Sequence, residues 1–174
     1  MTSPHISGKN GVALRSLDLT MASDMASIAN DEEVARNLRD IFPYPYSRED
    51  AVSFITFVMS DKIHPSWPIF FHDEFAGMIG LVMQNDVYKH SAEIGYWIGS
   101  KFHGKGITTE AVRLVCDHAF DKLKLTRLFA SVYESNYASQ KVLLKNHFEI
   151  EGIRKNAVMK NGVMMNDVMM ARVI

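Results

Sequence analysis

The chain has 174 residues, of which 47% are hydrophobic and 22% charged, and its formal net charge is −1. This composition is typical of a globular enzyme, and the nearly balanced charge excludes a general attraction to nucleic acid or to an anionic membrane. No stretch approaches the ~18 apolar residues of a membrane span, and the N-terminus lacks the apolar run of a secretory signal. We therefore expect a single domain over residues 1–174, a cytoplasmic location, and neither nucleic acid nor membrane as partner.

The first third of the chain predicts one strand followed by three helices. Residues 12–17 alternate as a strand does, and Asp18 or Thr20 can cap a helix over residues 21–30. A short helix is predicted over residues 34–39. Ser47, with acidic residues close behind it, predicts the start of a third helix that runs to about residue 59.

The rest of the chain alternates between strands and helices. Short connections between the next three predicted strands indicate an antiparallel meander, and Asn161-Gly162 predicts the turn of a final hairpin. The predicted elements are strands 67–72, 75–84 and 90–99, a helix 107–124, a strand 127–133, a helix from the Asn136 cap to 145, and strands 148–159 and 163–172. This order predicts an α+β fold.

A glycine-rich loop links the strand that ends near Gly99 to the helix that starts at Ile107. Gly104 and Gly106 lie within it, and glycine permits a tight turn there. The first N–H groups of a helix have no internal partners, and the helix dipole makes that end positive. Because Lys101 and Lys105 add positive charge, we expect the loop to hold a pyrophosphate.

Two familiar phosphate-binding motifs fail on one residue each. A Walker A loop requires Ser or Thr after the Gly-Lys pair, but Gly106 stands at that position. A Rossmann fingerprint starting at Gly104 requires Gly or Ala at its sixth position, where the chain has Thr109.

A third motif fits over residues 101–111, KFHGKGITTEA, which resemble motif A of the GCN5-related N-acetyltransferases (GNAT). Residues 136–152, NYASQKVLLKNHFEIEG, resemble the N-x-x-S … K-x-G-F-x-x-E-G signature of the RimJ/RimL-like branch of that family. Lys101 replaces the usual Gln or Arg, and His147 replaces the commoner Gly. The resemblance covers roughly residues 14–173.

The resemblance implies a central mixed, mostly antiparallel, splayed β-sheet flanked by helices. It also implies acetyl-CoA as co-substrate, with its pyrophosphate on the loop and its pantetheine arm along the preceding strand. The residues so implied to bind the coenzyme are Trp97, Ile98, Gly99, Lys101, Phe102, His103, Gly104, Lys105, Gly106, Ile107, Thr108, Asn136 and Ser139.

Acetyl transfer requires a base for the amine and a hydrogen bond for the departing thiolate. Glu93, on the strand before the loop, is the candidate base, and a surface or ion-paired glutamate is the alternative. Ser139 is implied to lie near the coenzyme sulfur and Asn136 to bind the pantetheine arm; helix packing and helix capping are their alternatives. Two departures from the family pattern are Leu143, where many members have tyrosine, and Val158, where RimL-type enzymes often carry glutamate.

Phe42, Tyr44 and Tyr46 are predicted to contact the acceptor, with packing against the sheet as the alternative. Cys116 is interpreted as a core residue, which excludes a covalent acetyl-enzyme. The seven histidines show no ligand spacing, so no metal site is predicted. The methionines of the last hairpin are expected at the core and the sheet edge, where an exposed patch could support a homodimer.

Two classes of function follow from these observations. The first is an acetyl-CoA-dependent N-acetyltransferase that acts on a primary amine, either a protein N-terminal α-amine or a small molecule, by direct attack in a ternary complex. The second is a non-catalytic module that senses acyl-CoA. A P-loop nucleotidase is a more distant alternative.

Overall fold

The computed structural model describes residues 4–61 and 63–174, and eight strands within them form one sheet. The strands are β1 (Ile6–Ser7), β2 (Val12–Leu14), β3 (Ser66–Phe71), β4 (Glu74–Met83), β5 (Ser91–Ile98), β6 (Arg127–Tyr133), β7 (Glu149–Lys160) and β8 (Val163–Val173). Their order across the sheet is β1-β2-β3-β4-β5-β6-β8-β7. Only the β5–β6 pair is parallel among these strands. The predicted α+β pattern and mixed, mostly antiparallel sheet are therefore confirmed.

Helices cover both faces of the sheet. The α-helices are α1 (Ala22–Ala29), α2 (Glu32–Ala35), α3 (Arg48–Ser60), α4 (Ile107–Asp121) and α5 (Tyr137–Lys145). Because consecutive strand residues point to opposite faces, Ile69 and Phe70 of β3 belong to different cores. Ile69 packs in the cluster that contains α4, and Phe70 in the cluster that contains α1 and α3.

The parallel seam between β5 and β6 is short. Only three residue pairs join the two strands, Ser91–Arg127, Ala92–Leu128 and Glu93–Phe129. Beyond these pairs, β5 continues beside β4 to Ile98, and β6 continues beside β8 to Tyr133. The sheet is therefore splayed between β5 and β6, as the resemblance implies.

Local sequence signals explain the helix starts that were predicted correctly. Ser47 forms a capping box with Asp50, in which each side chain accepts the other's backbone N–H, and α3 begins at the next residue. Asn136 accepts from the N–H of Ser139 at 3.1 Å and starts α5. The hairpin turn is also as predicted, since Asn161 and Gly162 have φ of 51° and 76°.

Two predicted elements of the first third of the chain were wrong in extent. The helix expected over residues 34–39 is instead the single turn α2, which begins at Glu32 because Asp31 caps it by accepting from the N–H of Glu33. The strand expected over residues 12–17 ends at Leu14, and the two-residue strand β1, which was not predicted, pairs with it.

The last hairpin is buried on one side only. Strand β7 is the exposed edge of the sheet, and among the methionines of the hairpin Met170 is buried whereas Met159 and Met164 are exposed.

Asp167 of β8 is only 1% exposed, and it accepts from the hydroxyl of Ser131 at 2.7 Å and from Arg154. A buried carboxylate requires such donors, since water is excluded from it.

Candidate active site

A cleft of about 530 Å³ opens between the end of β5, the start of α4 and the start of α5. Its walls are formed by residues 33–34, 36–38, 96–98, 102–104, 106–109, 135–139, 141–142 and 145. The cleft therefore lies where β5 has separated from β6. The strand, glycine loop and helix that the sequence predicted form one wall, and α5 forms the other.

The two loop glycines at the cleft both have left-handed backbone. Gly104 has φ of 74° and Gly106 has φ of 75°, and an added Cβ at either would meet no atom within 4 Å. Conformation rather than crowding therefore requires glycine at both positions. Gly106 provides no side-chain cap for α4, so the N–H groups at the start of the helix face the cleft without a side-chain partner. This end of the cleft is suited to an anion.

Asp31 fixes the glycine loop to α2. Its carboxylate accepts from the backbone N–H of Ser100 at 3.1 Å and from that of Glu33 at 2.9 Å. Burial by itself raises the pKa of Asp31, but the hydrogen bonds from Ser100 and Glu33 outweigh it and hold the pKa below its ordinary value. The carboxylate thus stays charged at neutral pH and ties α2 to the glycine loop.

Three residues predicted for the loop site do not line the cleft. Lys101 instead forms an ion pair with Glu74, and Lys105 lies with its Nζ 5.6 Å from the centre of the Phe102 ring. Gly99 is buried, and an added Cβ there would lie 2.5 Å from Cγ2 of Ile28. The expectation that both lysines face the anion is therefore corrected, since Lys101 is paired with Glu74 outside the cleft and Lys105 lies over the Phe102 ring without lining the cleft itself.

Other cations occupy the cleft wall in their place. Lys141 and Lys145 of α5 and Arg36 next to α2 all line it. These three residues were not predicted from the sequence as site residues. The four-residue spacing of the two lysines on a helix predicts that they share a face, but nothing local indicates that this face meets the glycine loop.

The remaining predicted coenzyme residues do line the cleft. Trp97 and Ile98 contribute from β5, Phe102 and His103 from the loop, and Ile107 and Thr108 from the start of α4. The ring Nε2 of His103 lies 3.3 Å from the carbonyl oxygen of Ile98, so the imidazole packs back against the strand.

Asn136 and Ser139 stand on the α5 wall and are joined to each other. Because the side-chain oxygen of Asn136 accepts from the N–H of Ser139, its amide NH₂ group remains for other partners. The hydroxyl of Ser139 lies 2.9 Å from that of Tyr96, a residue whose side chain was not predicted to belong to the site. Burial raises the pKa of Tyr96 well above its ordinary value, although the hydrogen bond with Ser139 opposes this shift. The phenol therefore remains protonated at neutral pH.

Glu93 lies outside the cleft lining, at the last residue pair of the β5–β6 seam. Its carboxylate accepts from Arg39 at 3.2 Å, and its side chain is 25% exposed. The neighbouring Ile94 packs in the α4 core, so Glu93 is on the opposite face of the strand. Glu93 is therefore an ion-paired glutamate in this structure, and its role as the base remains a prediction.

A second ion pair holds the segment between α2 and α3, to which Arg39 also belongs. Asp40, the residue after Arg39, accepts from Nζ of Lys160 at 2.6 Å. The segment between α2 and α3 is thereby attached to β5 through one residue and to the tip of the last hairpin through the next.

The predicted acceptor residues differ in exposure, and none of them lines the cleft. Tyr46 is 6% exposed, and its ring lies 4.9 Å from that of Phe42, which in turn lies 5.8 Å from Trp97. Packing explains these two rings, so the expectation of direct acceptor contact at Tyr46 is corrected. Tyr44 is 52% exposed and remains a candidate.

Cys116 lies on α4 and is buried in the core, and burial raises its pKa to about 11. It is therefore a neutral thiol, unsuited to act as a nucleophile.

Across residues 4–61 and 63–174, no group of three or more His, Cys, Asp or Glu side chains could hold a metal ion. None of the helices described here is long and apolar enough to span a membrane.

Comparison with known proteins places this geometry in a family. Residues 12–149 match the family model described as "Acetyltransferase (GNAT) domain". The chain is 46% identical over 85 residues to the "Probable N-acetyltransferase YjcK" of Bacillus subtilis (strain 168), a match that covers 48% of this chain and 47% of that protein. It is 32% identical over 106 residues to the "Ribosomal-protein-serine acetyltransferase" of Escherichia coli (strain K12), over 61% of this chain and 59% of the relative. The chain thus spans about half the length of the curated relatives it matches.

A solved structure shows the same fold over nearly the whole chain. It is described as RimL, a ribosomal L7/L12 alpha-N-protein acetyltransferase, in complex with coenzyme A, and it superposes with a TM-score of 0.88 at 24% identity, covering 98% of both chains. The eight-stranded splayed sheet is therefore the GNAT fold. On the family-model match and this shared architecture, the chain belongs to the GNAT acetyltransferase family.

Proposed function

We propose that this protein is an acetyl-CoA-dependent N-acetyltransferase that works as one domain. The observation that carries the proposal is the left-handed turn at Gly104 and Gly106, which opens α4 into the cleft without a side-chain cap. Unpartnered helix N–H groups and the helix dipole favour a negatively charged diphosphate at this position.

The cleft offers distinct environments for the parts of the coenzyme. The diphosphate would lie at the start of α4, with Lys141 and Lys145 adding positive potential from the facing helix. The pantetheine arm would follow the end of β5 at Trp97 and Ile98, whose peptide groups are no longer paired with β6. The NH₂ group of Asn136 is available to a carbonyl of that arm.

In the reaction the lone pair of a neutral amine attacks the thioester carbon. The carbon–sulfur bond then breaks with its electrons passing to sulfur, and the amine loses a proton. Glu93 is the proposed acceptor of that proton, because it lies at the point where β5 and β6 separate and on the strand face opposite the α4 core. An arriving ammonium group would compete with Arg39 for this carboxylate.

The proposed acceptor is a primary amine, with a protein N-terminal α-amine as the first choice and a polyamine or another small amine as the second. The similarity to a protein named as a ribosomal-protein-serine acetyltransferase supports the first choice. Tyr44, which is exposed, is the aromatic residue proposed to contact the acceptor.

Two measurements test the proposal in sequence. Calorimetry should detect coenzyme A binding to the whole chain, and binding should be lost in Gly106→Val, whose branched side chain strongly disfavours positive φ. Thiol release from acetyl-CoA should then depend on one member of a panel of N-terminal peptides, polyamines and small amines. Coenzyme binding without amine-dependent release would favour the acyl-CoA sensor, and absence of binding would refute both functions.

A further inference from the structure

A hydroxyl pair joins the two walls of the cleft. The phenol oxygen of Tyr96 lies 2.9 Å from Oγ of Ser139 and 3.3 Å from the carbonyl oxygen of the same residue, and 43 residues separate the two along the chain. Tyr96 is near the end of β5, Ser139 is in the first turn of α5, and both line the cleft.

The geometry of the hydroxyl pair allows either group to donate, and we assign the direction from the acidity of the two groups. A phenol is more acidic than an aliphatic alcohol, so it is the stronger donor. When Tyr96 donates to Ser139, Oγ acts as acceptor and its own hydrogen must point elsewhere. The backbone N–H of Ser139 is already donated to Asn136, which holds the first turn of α5 in place. The free hydrogen of Ser139 is then available to the cleft that its residue lines.

We propose that Tyr96 is a positioning residue, whose hydroxyl orients Ser139 so that the Ser139 hydroxyl donates to the sulfur of the coenzyme. This inference rests on the proposed acetyl transfer. When the carbon–sulfur bond breaks, the electron pair stays on sulfur and the Ser139 hydrogen bond stabilises that charge. Tyr96 keeps its proton throughout. The proton that finally neutralises the thiolate is the one lost by the amine.

The inference can be tested without an acceptor, on bound coenzyme A. A hydrogen bond to the thiolate lowers the pKa of the bound thiol, and this pKa follows from the pH dependence of its alkylation by iodoacetamide. The only cysteine of the chain, Cys116, is buried, so iodoacetamide should react little with the protein itself. This background is measured without coenzyme and subtracted. Tyr96→Phe and Ser139→Ala should each raise the pKa of the bound thiol by about one unit, which is tenfold in the ionisation constant.

The double variant separates positioning from two independent contacts. If Tyr96 acts through Ser139, the combined substitution should raise the thiol pKa no more than Ser139→Ala does by itself. Tyr88→Phe removes the same hydroxyl from an exposed tyrosine outside the cleft and should leave the thiol pKa unchanged. Each variant should bind coenzyme A within about threefold of the original chain, because the diphosphate site is untouched.

Turnover provides a second readout once an amine acceptor is known. Tyr96→Phe should lower kcat about tenfold with little change in the KM for acetyl-CoA, since the contact strengthens as charge develops on sulfur. An unchanged thiol pKa in Tyr96→Phe, or additive shifts in the double variant, would overturn the inference while leaving the proposed function intact. Failure of the original chain to bind coenzyme A would instead remove the proposed function, and the inference with it.

Discussion

Glu93 and Phe129 form the last residue pair that holds β5 to β6, and the sheet opens immediately beyond them. A carboxylate at this position can meet an amine that approaches through the opening. If Glu93 is the base, Glu93→Gln should lower kcat by about 100-fold or more, because the amide cannot accept the proton. Steady-state kinetics with a saturating amine would measure this.

Arg39→Gln is the matched control for Glu93→Gln, because it breaks the same ion pair but keeps the carboxylate. Its kcat should stay within a few-fold of the original value, since exposed ion pairs contribute at most about 1 kcal/mol. Equal losses in the two variants would show that the ion pair, rather than a proton transfer, is what Glu93 supplies.

Gly106→Ala should weaken coenzyme binding. The φ of 75° costs an alanine about 1–2 kcal/mol of strain, and relief of that strain moves the first N–H groups of α4 away from the cleft. We expect the dissociation constant for coenzyme A to rise about tenfold in calorimetry.

Gly152→Ala controls for the loss of glycine itself. Like Gly106, Gly152 would have no atom within 4 Å of an added Cβ, but it lies in β7, away from the cleft and without a positive φ. Its coenzyme affinity should be unchanged. A similar loss of affinity in both variants would contradict the assignment of the α4 turn as the diphosphate site.

Asn136→Asp separates the two roles of this side chain. A carboxylate still accepts from the N–H of Ser139 and remains favourable at a helix N-terminus, so the thermal midpoint should hardly change. The NH₂ group is lost, however, and coenzyme affinity should fall. Asn136→Ala should lose both the helix cap and the NH₂ group, and the lost cap should cost about 1 kcal/mol in stability. If Asp and Ala variants bind coenzyme as well as the original chain, Asn136 is a cap and nothing more.

Glu110 predicts a pH-dependent part of the stability. Two hydrogen bonds from Arg113 and one from the N–H of Lys9 hold the pKa of this carboxyl below its ordinary value. The stabilisation is therefore complete above the ordinary glutamate pKa of about 4.3 and is lost as the pH falls through the lower, folded-state value. Glu110→Gln should cost about 1 kcal/mol at pH 7 and progressively less under acid, as measured by urea unfolding.

Arg113→Gln should likewise reduce the pH dependence of the free energy of unfolding, because it removes the largest cause of the lowered Glu110 pKa. A destabilisation by Glu110→Gln that stays constant from pH 7 to pH 3 would show that the carboxyl is not held in its charged form by folding.

Signals that act within a few residues were sufficient to predict much of the fold. The Ser47 capping box, the Asn136 cap and the Asn161-Gly162 turn each depend on neighbours within three residues, and each was correct. The short helix after Asp31 was predicted two residues too late and too long, and only the structure shows that Asp31 is its cap and that it ends at Ala35.

Contacts between distant segments could not be predicted in this way. The Tyr96–Ser139 hydroxyl pair joins residues 43 apart, and the alternation of β5 shows only that Tyr96 shares a face with Ile94. The two loop lysines were expected at the anion because proximity in sequence suggested it. Lys101 instead meets Glu74, a partner that the pairing of the start of β4 with the end of β5 brings near.

Arg39 and Asp40 are adjacent and opposite in charge, and they are bound to different halves of the splayed sheet. Both ion pairs therefore oppose separation of the two halves beyond the three-pair seam between β5 and β6. Because Arg39 and Asp40 are largely solvent-exposed, added electrolyte screens both attachments together. The opening between β5 and β6, through which an amine would arrive, is thus expected to widen more readily in concentrated salt than in dilute buffer.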